Sequence, residues 1–116
     1  MTDPDIVAML RAKYRSLVVE WNQASEKPKI ANRKFDALHK LYKELRDSPE
    51  GQLAIAGLMD DPNAAVRLSA ATHSLAAKPE RAVAVIQEIE QGGGREGFNA
   101  KWTLKTYRDG TLNLDW

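Results

Sequence analysis

The chain has 116 residues, 43% hydrophobic and 28% charged, with a formal net charge of +1. This length and composition predict one globular domain over residues 1–116 and exclude a disordered chain. The sequence has no cysteine, which excludes disulfides, thiolate zinc sites and thiol nucleophiles and leads us to expect a cytoplasmic protein.

The first 47 residues predict a long helical hairpin. Asp3 and Pro4 are typical of a helix start, with aspartate as N-cap and proline in the first turn. Apolar residues then recur at steps of three and four on both sides of the polar stretch NQASEKPK. They are Val7, Leu10, Tyr14, Leu17 and Trp21 before it, and Ala31, Phe35, Leu38, Tyr42 and Leu45 after it. We expect two antiparallel helices with the four aromatic side chains in the core.

Three prolines divide the next part of the chain, residues 48–110, into shorter helices. Ser48-Pro49, Asp61-Pro62 and Lys78-Pro79 each predict a helix start with proline in the first turn. The segment 69–74 is rich in small residues, namely Ser69, Ala70, Ala71, Thr72 and Ser74. They predict a buried helix that neighbouring helices approach closely on more than one side.

The last helix follows the three glycines at 92–94, and its predicted apolar side carries Phe98, Ala100, Leu104 and Tyr107. Gly110 predicts a left-handed C-terminal residue, followed by a tail over residues 111–116 that packs its apolar side chains on the helices. Asp109-Gly110 is also typical of a two-residue β-hairpin, which leaves a terminal hairpin over residues 102–116 as the alternative. With the helical interpretation, the fold class is all-α with about six helices.

The stretch DDPNAAVRLSAATHSLAAKPERAVAVIQEI resembles a HEAT-type repeat. The resemblance is carried by Asp61, Val66 and Arg67 at its opening, by the small residues that follow, and by Val83, Ile86 and Ile89 in the second helix. The chain, with GFNAKWTLKTYRDG near its end, is also similar to a small bacterial family known only as a domain of unknown function. That similarity covers mainly residues 48–110. It implies an armadillo/HEAT-like α-superhelix of short stacked helices after the hairpin, and it brings no catalytic residues.

No residue pattern predicts an enzyme, a metal site or a cofactor. Neither His39 nor His73 belongs to a paired metal-binding motif. Asp36 and His39 together supply two metal ligands at most, so we interpret Asp36 and His39 as an ordinary surface pair. Ser69 and His73 lack an orienting acid and a nucleophile turn. The glycines at 92–94 lack the sequence of a phosphate-binding loop.

Charge gives a lead toward a partner. Residues 11–46 contain ten Lys/Arg against four Asp/Glu, whereas residues 47–116 contain seven against ten. On the second helix, one stripe opposite Phe35 and Leu38 carries Lys29, Arg33, Asp36, Lys40 and Lys43. The stripe is either a binding surface for an acidic protein or for phosphates, or a solvated face in which Arg33, Asp36 and Lys40 pair with one another.

Two further side chains have predicted roles. Trp102 lies off the expected apolar side of the last helix, so we expect it to be half exposed and to serve as an interface anchor. Arg67 is expected to pair with Asp61 or with an acid on the next helix, and the alternative is an exposed role in recognition.

The sequence therefore predicts a noncatalytic protein-binding module, of adaptor or inhibitor type, whose partner is a protein with an acidic surface. The alternative is a nucleic-acid phosphate-backbone binder that uses the basic N-terminal hairpin. The first ten residues are acidic, and no apolar run approaches the roughly 20 residues of a membrane span, so we expect no signal peptide and no membrane partner.

Overall fold

Six α-helices and no strands form the part of the chain that the computed structural model describes, residues 3–24 and 26–115. They are α1 (Pro4–Gln23), α2 (Pro28–Arg46), α3 (Pro49–Gly57), α4 (Ala64–His73), α5 (Pro79–Gln91) and α6 (Gly94–Asp109), with a short 3₁₀ turn at Leu58–Asp60. The predicted all-α class with six helices is confirmed. The chain forms two compact units, Met1–Leu58 and Met59–Trp116. The prediction of one domain over residues 1–116, in which the hairpin ends at residue 47 and the short helices begin at residue 48, stays a prediction.

In the first unit, α1 and α2 pack along each other as the predicted hairpin, and α3 contacts both. The start signals act as expected: Asp3 Oδ1 accepts a hydrogen bond from the backbone N–H of Asp5 at 2.8 Å, and Ser48 Oγ accepts one from Gly51 at 3.0 Å. The core contains the apolar stripes of both helices with the inner face of α3. Its buried side chains include Tyr14, Leu17, Val18, Leu38, Leu41, Tyr42, Leu45 and Ile55.

The four aromatic residues of the hairpin do not share one environment. Tyr14 and Tyr42 are buried as predicted, but Phe35 is 38% exposed and Trp21 is half-buried. The prediction of a core position for Phe35 is therefore wrong. At 100° per residue, Phe35 lies between Tyr42 and His39 around α2, but the buried residues of this helix begin at Leu38, so Phe35 lies beyond the N-terminal end of the buried face. There its ring packs beside Trp21, with the centroids 5.3 Å apart.

Gly51 is buried where α3 begins against the end of α2. A Cβ at this position would lie 2.7 Å from the carbonyl carbon of Leu45 and 2.9 Å from its Cα. Carbon atoms normally stay roughly 3.5 Å apart or more. Glycine is therefore the residue that lets the two helices meet this closely.

In the second unit, α4 contacts both α5 and α6, and these two helices contact each other. The predicted burial of the small-residue helix is confirmed, since Ala70 and Ala71 have no exposed surface and Ser69 and Thr72 are half-buried. Other buried residues of this unit include Val66, Leu68, Leu75, Ala82, Ile86, Ile89, Ala100 and Leu104. Side chains of this size allow the backbone of α4 to approach two neighbours.

The start of α4 differs from the prediction. Asn63 is its N-cap, because Asn63 Oδ1 accepts hydrogen bonds from the backbone N–H groups of Ala65 at 2.9 Å and Val66 at 3.2 Å. Asp61 Oδ1 accepts from the N–H of Asn63 at 2.9 Å, so Asp61 and Pro62 form a turn that precedes the helix. Arg67 Nη1 donates to the backbone carbonyls of Asp61 at 2.9 Å and Pro62 at 3.0 Å. Arg67 therefore closes the turn through backbone oxygens.

The helix α6 also corrects the sequence prediction. Ala100 and Leu104 are buried as expected, but Phe98 is 61% exposed and Tyr107 also lies at the surface. The buried line instead runs through Gly97, where a Cβ would lie 3.0 Å from the carbonyl oxygen of Glu90. A close approach of two backbones thus sets which face of α6 is buried, and Phe98 points away from it.

The C-terminal segment follows the helical interpretation. The helix α6 continues to Asp109, which excludes the β-hairpin, and Gly110 ends it in the left-handed conformation with φ 74°. Beyond it, Leu112 and Leu114 are half-buried, whereas Trp116 lies outside the described residues.

Candidate functional site

One face of α2 carries the predicted stripe of charge. At 100° per residue, its four cations and Asp36 lie within about 80° of one another, and they extend about 21 Å along the helix axis. Lys29, Arg33 and Lys40 are exposed, and Lys43 is half-buried. We call Lys29, Arg33, Lys40 and Lys43 the basic face of α2. It is a single row of positive side chains on the side away from the core.

The predicted ion pairs along this row do not form. Within residues 3–24 and 26–115, no salt bridge engages Arg33, Asp36 or Lys40, and none engages Lys29. The Arg33–Asp36–Lys40 pairs expected for a solvated face are therefore not found among the described residues, and the choice between a solvated face and a binding surface stays a prediction. Three exposed cations of the basic face have no carboxylate partner in the described part of the chain.

Other cations of α2 are used within the first unit. Lys34 Nζ lies 3.4 Å from Glu20 Oε2 on α1. The Arg46 guanidinium lies over the ring of Tyr42, 5.0 Å from its centroid, and its Nη1 donates to the Tyr42 hydroxyl at 3.3 Å. Lys34 thus links the two helices of the hairpin and Arg46 is engaged within α2, which separates both cations from the basic face.

A second surface lies on α6, in the other unit. Trp102 is 49% exposed, which confirms its predicted half-exposure, and its role as an anchor stays a prediction. Phe98, one turn earlier, packs its ring against Trp102 with the centroids 6.2 Å apart and the planes at 69°. Arg95 and Lys105 lie before and after this pair and are exposed. We call these four residues the aromatic face of α6.

Phe98 is a surface residue that was not predicted from the sequence. The signal that could have found it is the pair of small residues Gly97 and Ala100. Small residues three apart on a helix indicate a close backbone contact, and this places the large neighbouring side chain on the opposite face. Small residues likewise indicate that α4 is a buried helix.

The two histidines lie in different environments. His39 is buried, with its ring centroid 5.9 Å from that of Tyr42, whereas Asp36 is exposed. The interpretation of Asp36 and His39 as a surface pair is therefore wrong. His73 is half-buried on α4. In the described part of the chain, no three side chains of His, Asp or Glu come close enough together to hold a metal ion.

None of the helices in residues 3–24 and 26–115 combines the length and apolar character that a membrane crossing requires.

Comparison with known proteins identifies the family. Residues 6–106 match the family described as Domain of unknown function (DUF2019). The chain belongs to the DUF2019 family. The match begins well before Ser48, so the family resemblance covers more of the chain than the sequence analysis predicted, and it includes both the basic face of α2 and the aromatic face of α6.

A solved structure shares this fold. The crystal structure of the protein RPA1889 from Rhodopseudomonas palustris CGA009 superposes with a TM-score of 0.83, at 26% sequence identity and over 92% of each chain. A search of the curated proteins gives no match. The DUF2019 assignment therefore supports the helical fold and transfers no functional residue.

Proposed function

We propose that this DUF2019 protein is a noncatalytic protein-binding module, of adaptor or inhibitor type, and that the basic face of α2 binds an acidic surface on another protein. The observation that carries the proposal is the state of Lys29, Arg33 and Lys40. All three are exposed, and no salt bridge within the described residues engages them. Their positive charge is available to a partner.

This row of cations can attract and orient a protein that carries negative charge. Complementary charge speeds the encounter of two proteins and sets their orientation more than it adds affinity. The row is about 21 Å long, a length suited to the acidic side chains of one protein surface. Lys and Arg also supply long apolar stems that can pack against a partner once the charges are matched.

Asp36 favours a protein over a nucleic acid as the partner. Its exposed carboxylate lies within the row of cations and makes no salt bridge in the described part of the chain. A phosphate backbone presents negative charge along its whole length and would be repelled at this point. A protein surface can instead place a hydrogen-bond donor or a lysine opposite Asp36.

The HEAT-like arrangement of the short helices is part of the same proposal. In the second unit, α4 lies against both α5 and α6 through small side chains, as a helix in the middle of a stack would. Stacked helices offer broad surfaces and few buried pockets, which suits macromolecular partners. The lack of cysteine fits a reducing compartment such as the cytoplasm.

A charge-reversal experiment tests the proposal. In the test variant, Lys29, Arg33 and Lys40 are changed to Glu. In the control variant, three exposed cations away from the row, Arg11, Lys13 and Lys27, are changed to Glu, which gives the same net charge. We expect the test variant to lose acidic proteins that the wild-type protein and the control variant capture from cell extract. An unchanged set of captured proteins contradicts the role of the basic face.

Nucleic acid binding is the competing outcome. Fluorescence anisotropy with duplex and single-stranded oligonucleotides at low salt detects it, because phosphate contacts are strongest there. We expect no saturable binding by the wild-type protein. Binding that the test variant loses and the control variant keeps would replace the acidic protein by a phosphate backbone as the ligand of this face.

A further inference from the structure

The aromatic face of α6 exposes two large aromatic side chains side by side. Phe98 is 61% exposed and Trp102 is 49% exposed, and their rings are in edge-to-face contact. Single exposed apolar residues are ordinary on a protein surface, but adjacent exposed aromatic residues form a patch of the kind found at the centre of interfaces. We therefore ask which kind of partner covers this patch.

Cations lie at both ends of the patch. Arg95 precedes Phe98 by three residues and Lys105 follows Trp102 by three, so the spacing is symmetric about position 100. The two cations are about 15 Å apart along the helix axis, and all four side chains leave the helix within about 80° of one another. Lys105 pairs with Asp109 at 2.7 Å, but both partners are exposed, so this pair opens at little cost. The patch is an apolar centre between two positive ends.

This symmetry argues against a second copy of the chain as the occupant. If two copies paired α6 antiparallel through their aromatic residues, Arg95 of each would lie opposite Lys105 of the other. A parallel pairing in register would place each cation opposite its own copy. Like charges directly opposite one another disfavour both arrangements, although Asp109 beside Lys105 offsets part of this repulsion.

The ring geometry argues against single-stranded nucleic acid. Proteins that bind it stack successive bases on aromatic faces. The planes of Phe98 and Trp102 meet at 69°, so two neighbouring stacked bases cannot both lie flat on these rings. The side chains are instead suited to aliphatic groups inserted beside the ring edges and faces.

We propose that the aromatic face of α6 binds an amphipathic helix of a partner protein, in which two apolar residues four apart lie between two carboxylates. The carboxylates stand three residues before the first apolar residue and three after the second, and they face Arg95 and Lys105. The apolar residues pack against Phe98 and Trp102. This inference rests on the proposed protein-binding role and adds a second surface with a partner of stated chemistry.

A designed peptide tests the proposal. The probe is a fluorescein-labelled, alanine-rich helical peptide that contains Glu-Ala-Ala-Leu-Ala-Ala-Ala-Leu-Ala-Ala-Glu. The control peptide has lysine in place of both glutamates. We expect anisotropy to show saturable binding of the probe to the full-length protein and at least tenfold weaker binding of the control peptide. No binding of the probe up to about 1 mM peptide would overturn the proposal.

Variants locate the binding. We expect Phe98→Ala and Trp102→Ala each to weaken probe binding about tenfold, and Arg95→Glu with Lys105→Glu to weaken it at least as much. Met9→Ala is the matched control, because Met9 is 62% exposed and lies on α1 in the other unit. Equal loss of binding in Met9→Ala, or none in Trp102→Ala, would overturn the assignment to α6. Circular dichroism of each variant checks that the helices are retained.

Two further measurements separate this inference from the role of α2. The variant with Lys29, Arg33 and Lys40 changed to Glu is expected to bind the probe as the wild-type protein does. If that variant alone loses the probe, the inference about α6 fails while the proposed role of α2 is supported. Analytical ultracentrifugation is expected to show a monomer, and a dimer that Trp102→Ala dissociates would overturn the proposal in favour of a second copy.

Discussion

Gly51→Ala is expected to destabilise the first unit although it adds a single methyl group to a helix. The new Cβ would lie closest to the carbonyl oxygen of Leu45 and 2.7 Å from its carbonyl carbon, so α3 must shift by at least about 0.8 Å to restore ordinary contact. That shift also disturbs the hydrogen bond from the Gly51 N–H to Ser48 Oγ, which is 3.0 Å long. Overpacking of this kind costs about 3 kcal/mol, and the gain from replacing a helical glycine by alanine offsets about 1 kcal/mol. The net expectation is a loss of about 2 kcal/mol in the free energy of unfolding.

The matched control is Gly57→Ala in the same helix. A Cβ there would meet its nearest neighbour, the Arg11 guanidinium, at 3.9 Å, which is ordinary contact. We expect Gly57→Ala to raise the free energy of unfolding by about 0.5 kcal/mol. Urea denaturation followed by far-UV circular dichroism measures both variants against the wild-type protein. If Gly51→Ala were as stable as Gly57→Ala, the close approach of α3 to the end of α2 would be refuted.

Three further predictions concern the second unit and use the same denaturation measurement. Asn63→Ala should lower the free energy of unfolding by about 1 kcal/mol, whereas Asn63→Asp should keep the cap and most of the stability; equal losses would contradict the capping role. Ala70→Leu should cost about 2 kcal/mol because the site has no exposed surface, and exposed Ala84→Leu on α5 should change little; a tolerated leucine at position 70 would show that α4 is not tightly enclosed. Gly110→Ala should cost about 1 kcal/mol, since φ is 74° there, and a neutral result would contradict the left-handed cap.

Local signals in the sequence predicted the helix boundaries well. Pro49 and Pro79 each stand at the start of a helix, because proline lacks the N–H that a first turn leaves unused. The start of α4 was predicted two residues too early, because both Asp61 and Asn63 can accept hydrogen bonds from the backbone that follows. Pro62 does not decide between them, and the Arg67 contacts to the turn carbonyls could not be read from spacing.

The exposed sites were harder to predict than the core. The sequence located the basic face of α2, since charge and helical period are both visible in it, but the absence of pairing with Asp36 depends on side-chain geometry. Phe98 was placed inside because large apolar residues usually form the core. At Gly97, the backbone of α6 approaches the carbonyl of Glu90 so closely that this face of α6 accommodates only small residues. Phe98 is therefore at the surface, and this tertiary contact is not visible in the sequence.

NMR titration shows whether the basic face of α2 binds an acidic surface. The nitrogen-15-labelled protein is titrated at low salt with a poly-glutamate peptide and, separately, with an oligothymidylate. We expect the peptide to shift the backbone amide signals around Lys29, Arg33 and Lys40, and added salt to reverse the shifts. No change at these positions at low salt, or tighter binding of the oligonucleotide than of the peptide, would contradict this expectation.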